Sequence, residues 1–238
     1  MVTEVWERME SVVAPRTMFG AIVGWIGAIA FAVSGLWFGA IAMHLSVAEP
    51  PAGEAGPVAY FTWFVTTLQQ ERIDTSIAIA GFACLIVLAR LVATRDRRDR
   101  VQAGAAVMSL GAAIWIVGNI LQLAAHRAVG LLATHNNPLG TTNSIAFTAD
   151  MIDDGFEMAG FAVLAVGAFL LAGRAASLGW RRMTIALGAV CALLAVAYIT
   201  GPDALVDGAL VFGGLAVVPI WLVWTGGTLD GPLDTVRV

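Results

Sequence analysis

Six stretches of this chain stay apolar for about as long as a helix needs to cross a lipid bilayer, roughly 20 residues each. They cover residues 18–43, 75–94, 101–125, 151–172, 183–201 and 208–224. Backbone inside hydrocarbon must satisfy its own amide and carbonyl groups, so runs of this length read as helices. The expected fold is all-α: a polytopic transmembrane helix bundle with six spans, built as one integral membrane domain over residues 1–238. Charged residues make up only 13% of the chain, against about 25% in soluble domains. The first run exceeds the roughly 7–15 apolar residues of a secretory signal, so it reads as a retained helix.

Arginine placement orients the bundle. All 13 basic residues are Arg. Six spans put 11 of them on one side: Arg8, Arg16, Arg90, Arg95, Arg97, Arg98, Arg100, Arg174, Arg181, Arg182 and Arg237. Only Arg72 and Arg127 fall on the other. The positive-inside rule then predicts both termini in the cytoplasm. The exclusive use of Arg points to a GC-rich bacterial genome and so to a bacterial plasma (inner) membrane. It also excludes Schiff-base and lysine-nucleophile chemistry. The net charge of −4 argues against nucleic-acid binding.

The first outer loop runs over residues 44–74 and is broken by Pro50, Pro51 and Pro57. Over residues 58–70, Tyr60, Phe61, Phe64 and Leu68 follow helical spacing, with Thr62, Thr66 and Gln69 opposite. This pattern predicts a short amphipathic helix on the membrane surface, or the wet start of the second span. Helices in lipid associate by close packing, which small residues permit. Gly20, Gly24, Ala28 and Ala32 recur every four residues in the first span, followed by Gly35 and Gly39. Gly104, Gly111 and Gly118 recur every seven in the third. Both stripes are candidate contact faces, toward another helix of the chain, a second copy or a partner membrane subunit. Pro219 is expected to kink the last span.

From Asp154 onward, an apolar helix is followed by a basic loop with Trp180, Arg181 and Arg182. A Gly/Leu/Ala-rich helix comes next, and then a last helix with Trp221, Leu222 and Gly226. This layout resembles the C-terminal half of small uncharacterised bacterial multi-pass membrane proteins. The resemblance implies the architecture and no particular activity.

The polar residues inside the spans carry what functional signal there is. On the third span Trp115, Asn119, Gln122 and His126 form one helical stripe. A polar stripe facing lipid is costly, so it should face the bundle interior, either as interhelical hydrogen bonds or as the lining of a cavity. On the fourth, Asp150, Asp153, Asp154 and Glu157 share a helical face. Acids suit a helix N-terminus, and one of them has Arg127 as a candidate partner. Glu157 lies deepest, where burial opposes its charge, and is expected to face Asn119, Gln122 and His126. Asp203 and Asp207 mark the start of the last span. Convergent carboxylates of this kind suit a divalent cation. His44 and His126 end two different spans and are candidate ligands for a transition metal or a b-type haem. Cys84 and Cys191 lie in separate spans with no C-x-x-C spacing, and read as small buried hydrophobes.

No protease, nucleotide-binding or hydrolase signature is present. Three functions therefore remain open. One is binding or transport of a small molecule or ion through an outward-facing polar cavity. The second is a membrane enzyme or redox subunit using metal or haem. The third is an accessory subunit of a membrane complex. The topology has a direct check. In a background with both native cysteines replaced by alanine, Arg98→Cys should be labelled from the cytoplasmic side and Gly140→Cys from the outside. Labelling of both from one side overturns the six-span arrangement.

Overall fold

The computed structural model describes residues 18–42, 57–134, 139–173, 177–200 and 203–229. They form α1 (Phe19–Ala42), α2 (Pro57–Arg95), α3 (Asp99–Thr134), α4 (Leu139–Ala172) and α5 (Leu178–Thr200). The last span is composite: α6 (Asp203–Phe212), a π-helical turn (Gly213–Val217) and α7 (Val218–Leu229). Among the described residues there is no strand. Six helical stretches are long and apolar enough to cross a membrane. Residues 58–70 are helical and run unbroken into the second span, giving one helix of 39 residues.

The distribution of polarity is that of a membrane protein. Trp25, Ile29 and Leu36 are 58%, 58% and 61% exposed, whereas Asn119 and Asp153 are 3% and 6% exposed. In water this surface would be a large sticky patch. In a bilayer the lipid covers it and the polar groups are sheltered inside. The chain is a multi-pass membrane helix bundle.

Consecutive helices pack side by side, and α1 closes the ring against α7 and the π turn. From its place in the ring α2 also touches α4 and α7. Glycine governs the two tightest contacts. A Cβ on Gly111 would lie 2.6 Å from Leu164 N, and one on Gly104 2.8 Å from Leu171 N. On the facing helix, a Cβ on Gly167 would lie 2.5 Å from Met108 N and one on Gly160 3.1 Å from Gly111 O. The seven-residue stripe of α3 thus meets a second seven-residue pair on α4, and the two backbones nearly touch. Gly24 lies against Leu222 O, where a Cβ would be at 2.6 Å, and Gly35 lies against Gly214. The α1 stripe is therefore occupied within the chain by the last span, at least from Gly20 to Gly35.

At one end of the bundle α2 and α3 join through a three-residue turn, Asp96–Arg98. The Gln102 amide donates to the carbonyls of Ala93 and Asp96, satisfying acceptors that the end of α2 leaves free. The Arg98 guanidinium grips both Asp96 carboxylate oxygens. That hydrogen bond holds the Asp96 carboxyl below its usual range. The stabilisation is present above the ordinary aspartate range and is lost as pH falls through the lowered value; on this exposed turn it is small. Arg95, Arg97, Arg98, Arg100, Arg181 and Arg182 are all exposed at this arginine-rich end.

Near the same end, α5 and α7 are pinned by two indole hydrogen bonds. Trp221 Nε1 donates to Thr184 Oγ1 at 3.0 Å, and Trp180 Nε1 donates to Thr225 Oγ1 at 2.9 Å. Thr184, Thr225 and Trp221 are fully buried. Proline at 219 has no N–H for the carbonyl four residues before it. The chain meets this by widening into the π turn, which closes with Val218 N–H donating to Gly213 O.

Adjacent glycines of α7 provide a stability test. A Cβ on Gly226 meets the Gly20 carbonyl, whereas one on Gly227 meets nothing within 4 Å. Gly226→Ala should lower stability by about 1–3 kcal/mol through overpacking. Gly227→Ala should be neutral or stabilise by up to about 1 kcal/mol through helix propensity. Thermal unfolding in detergent micelles compares them directly.

Candidate functional site

Toward the end opposite the arginines, five consecutive helices each supply a polar side chain to one region. Glu157 of α4 is its centre. Asn119 Nδ2 of α3 donates to Glu157 Oε1 at 3.3 Å, and the Tyr198 hydroxyl of α5 donates to Glu157 Oε2. The Asp74 carboxylate of α2 lies within electrostatic range of Glu157. The Ser34 hydroxyl of α1 is a side-chain hydrogen-bond partner of Asp74. Asp74 Oδ1 is nevertheless buried without a hydrogen-bond partner. Among the described residues neither Glu157 nor Asp74 has an ion-pair partner.

Local sequence explains the convergence. Gly118 brings α3 so close to Phe156 of α4 that the next residue on each helix, Asn119 and Glu157, meet. On α2, Asp74 continues the buried stripe of Ala78, Phe82, Leu85 and Ala89 by one further turn.

Beneath the polar groups, on the side of the arginine-rich end, lies a layer of aromatic rings. Phe82 stacks on Trp115 with centroids 4.0 Å apart and meets Phe31 edge-on at 4.9 Å. Phe161 lies 6.4 Å from Phe82 and is nearly parallel to Tyr198 at 6.3 Å. Each ring is about one or two turns from a polar partner on its own helix: Phe31 from Ser34, Phe82 from Asp74, Trp115 from Asn119, and Phe161 from Glu157. Below this layer the interior is filled by Leu85, Leu88, Met108, Leu171 and Leu187, all fully or nearly fully buried.

The residues singled out from the sequence divide as follows. Asn119 and Glu157 bond to each other. Asp154 is exposed and reaches Glu157 and Tyr198 electrostatically. Asp153 is buried against Gly118, where a Cβ would lie 3.2 Å from its Oδ1. His126 is buried at 1% exposure, two turns along α3 from Asn119. Gln122 and Asp207 are half-buried. His44 falls outside the described residues, as do the side chains of Asp150 and Asp203. Among the described residues no three His, Cys, Asp or Glu side chains converge as metal ligands. Asp74, Tyr198 and Ser34 enter from the structure alone.

No family model matches the chain, and neither a curated protein nor a solved structure is significantly similar to it.

The Tyr198–Glu157 bond has an energetic signature. Tyr198→Phe keeps the ring against Phe161 but deprives the carboxylate of a donor. It should cost about 1–3 kcal/mol. Adding Glu157→Met, which has no such acceptor, to that variant should cost less than Glu157→Met alone, because the shared bond is already gone. Additive losses in denaturant unfolding would show that the bond contributes nothing.

Proposed function

We propose that this protein binds a small solute or ion at the Glu157–Tyr198–Asn119 site and carries it across the membrane, loading from the end opposite the arginines. The observation that carries the reading is an acid held by donors from two neighbouring helices inside a membrane bundle, with no cationic partner among the described residues. Intramembrane acids are costly and recur along ion and proton pathways. A purely structural hydrogen bond would be served as well by a neutral side chain.

Orientation follows from charge. With the arginine-rich end in the cytoplasm of a bacterial cell, as the positive-inside rule predicts, the site lies in the outer half of the bundle. The aromatic layer and the apolar packing below it separate the site from the cytoplasmic side, as a carrier in its outward-facing state requires.

Protein reconstituted in phosphatidylcholine vesicles on a solid-supported membrane is challenged in turn with protons, sodium, potassium and simple amines. At least one should evoke a transient current, and Glu157→Gln should reduce it at least tenfold while the variant retains its oligomeric state and helicity. Equal currents from both proteins would overturn the reading.

A further inference from the structure

We propose that Asp74 and Glu157 form a single two-carboxylate site for a proton, taken up from the end opposite the arginine-rich one and passed from Asp74 to Glu157. This deepens the proposed function and rests on it for its place in a transport cycle. Asp74 comes from α2 and Glu157 from α4, and the two helices touch. The charges that reach Glu157 are Asp74 across the bundle and Asp154 on its own helix, with Tyr198 bonded to it from α5. From α3 the facing group is the uncharged Asn119, and from α1 the Ser34 hydroxyl stands at Asp74.

The donor set selects the ion. Both Glu157 oxygens already accept hydrogen bonds, one from Tyr198 and one from Asn119. Calcium demands six to eight oxygens and magnesium a near-ideal octahedron. A proton needs one lone pair. Asp74 Oδ1 offers it, since this oxygen is buried and has no partner. A second unpartnered group lies in the aromatic layer just beneath the acids. Trp115 is 6% exposed and its indole N–H is buried without an acceptor. The ring stacks on Phe82 of α2, and Gly160 of α4 lies against the Trp115 Cβ and backbone nitrogen, so the residue touches both helices that carry the carboxylates. A buried donor and a buried acceptor, both unsatisfied, define the setting of an internal water.

The transfer balances without electrons. A hydronium ion from the outer solution protonates Asp74, leaving water and giving the carboxylic acid; the proton then passes to Glu157, and Asp74 returns to the carboxylate. The newly formed Glu157 O–H requires an acceptor, which the Tyr198 hydroxyl oxygen supplies, while Asn119 Nδ2 stays bonded to the Trp115 carbonyl. The aromatic layer stops the proton there until the bundle rearranges.

Infrared difference spectroscopy in phosphatidylcholine vesicles reads the proton itself, independently of transport. Acidification of the wild type should produce a carboxylic C=O band that shifts in deuterium oxide and disappears in Glu157→Gln. In Asp74→Asn the Glu157 band should remain, with its midpoint moved to lower pH, because a like charge has been removed. Ser34→Ala, which leaves both acids in place, should shift the Asp74 band alone and guards against misfolding of the Asp74 variant. A wild type without a band that Glu157→Gln deletes would overturn the inference, as would a Glu157 midpoint unmoved by Asp74→Asn. Ion currents that persist alongside either result would leave transport standing and remove only the proton pair. Intact band shifts without any ion current would remove transport and keep the pair.

Discussion

The contact between α3 and α4 is the constraint from which the site follows. Lipid offers no hydrophobic drive to press two apolar helices together, so their association depends on how closely the surfaces fit. Gly104, Gly111 and Gly118 remove the side chains that would hold the backbones apart, and Gly160 and Gly167 do the same from the other side. At ordinary helix separation the short Asn119 side chain would not reach Glu157. The polar bond is thus a by-product of a backbone contact built from glycines. α5 then adds Tyr198 and α2 adds Asp74 to a centre already fixed.

The interior is layered along the bundle axis. Charged and hydroxyl groups come first, then aromatic rings, then aliphatic packing, then the indole–threonine bonds that pin α5 to α7. Each layer has the chemistry its depth demands. The carboxylates stand where donors from several helices meet. The rings cover wide area with few rotatable bonds. The two tryptophan N–H groups near the arginine-rich end find hydroxyl acceptors, whereas Trp115 N–H, in the layer below the acids, finds none.

Much of this architecture was legible in the sequence. The six apolar runs announced the spans, and the spacing of Gly104, Gly111 and Gly118 announced a contact face. The matching residues Gly160 and Gly167 were harder to assign, because a glycine pair in an apolar helix does not say which neighbour it meets. In the site, Asn119 and Glu157 stood out because each interrupts an apolar run. Asp74 did not, since a hydropathy window ends the second span one residue later and leaves it in a loop. The continuous helix places it instead on the stripe that runs through Ala78 and Phe82. Extending that stripe outward by one turn would have found it. Tyr198 was hidden by its own amphipathic nature: a ring that packs like Phe leaves no trace in a hydropathy profile. Ser34 likewise resembles the small packing residues around it.

The ring of helices closes where α1 meets α7, and this has a consequence for biogenesis. α1 leaves the ribosome well before α7, its glycine-faced partner. While the intervening spans are made, the Gly24–Gly35 face of α1 has only lipid or the insertion machinery against it. The long-range contact that completes the fold carries the largest loop-closure cost in the chain. Truncation before α7 would therefore leave a bundle whose neighbouring helices pair correctly but whose seam stays open, a natural substrate for membrane quality control.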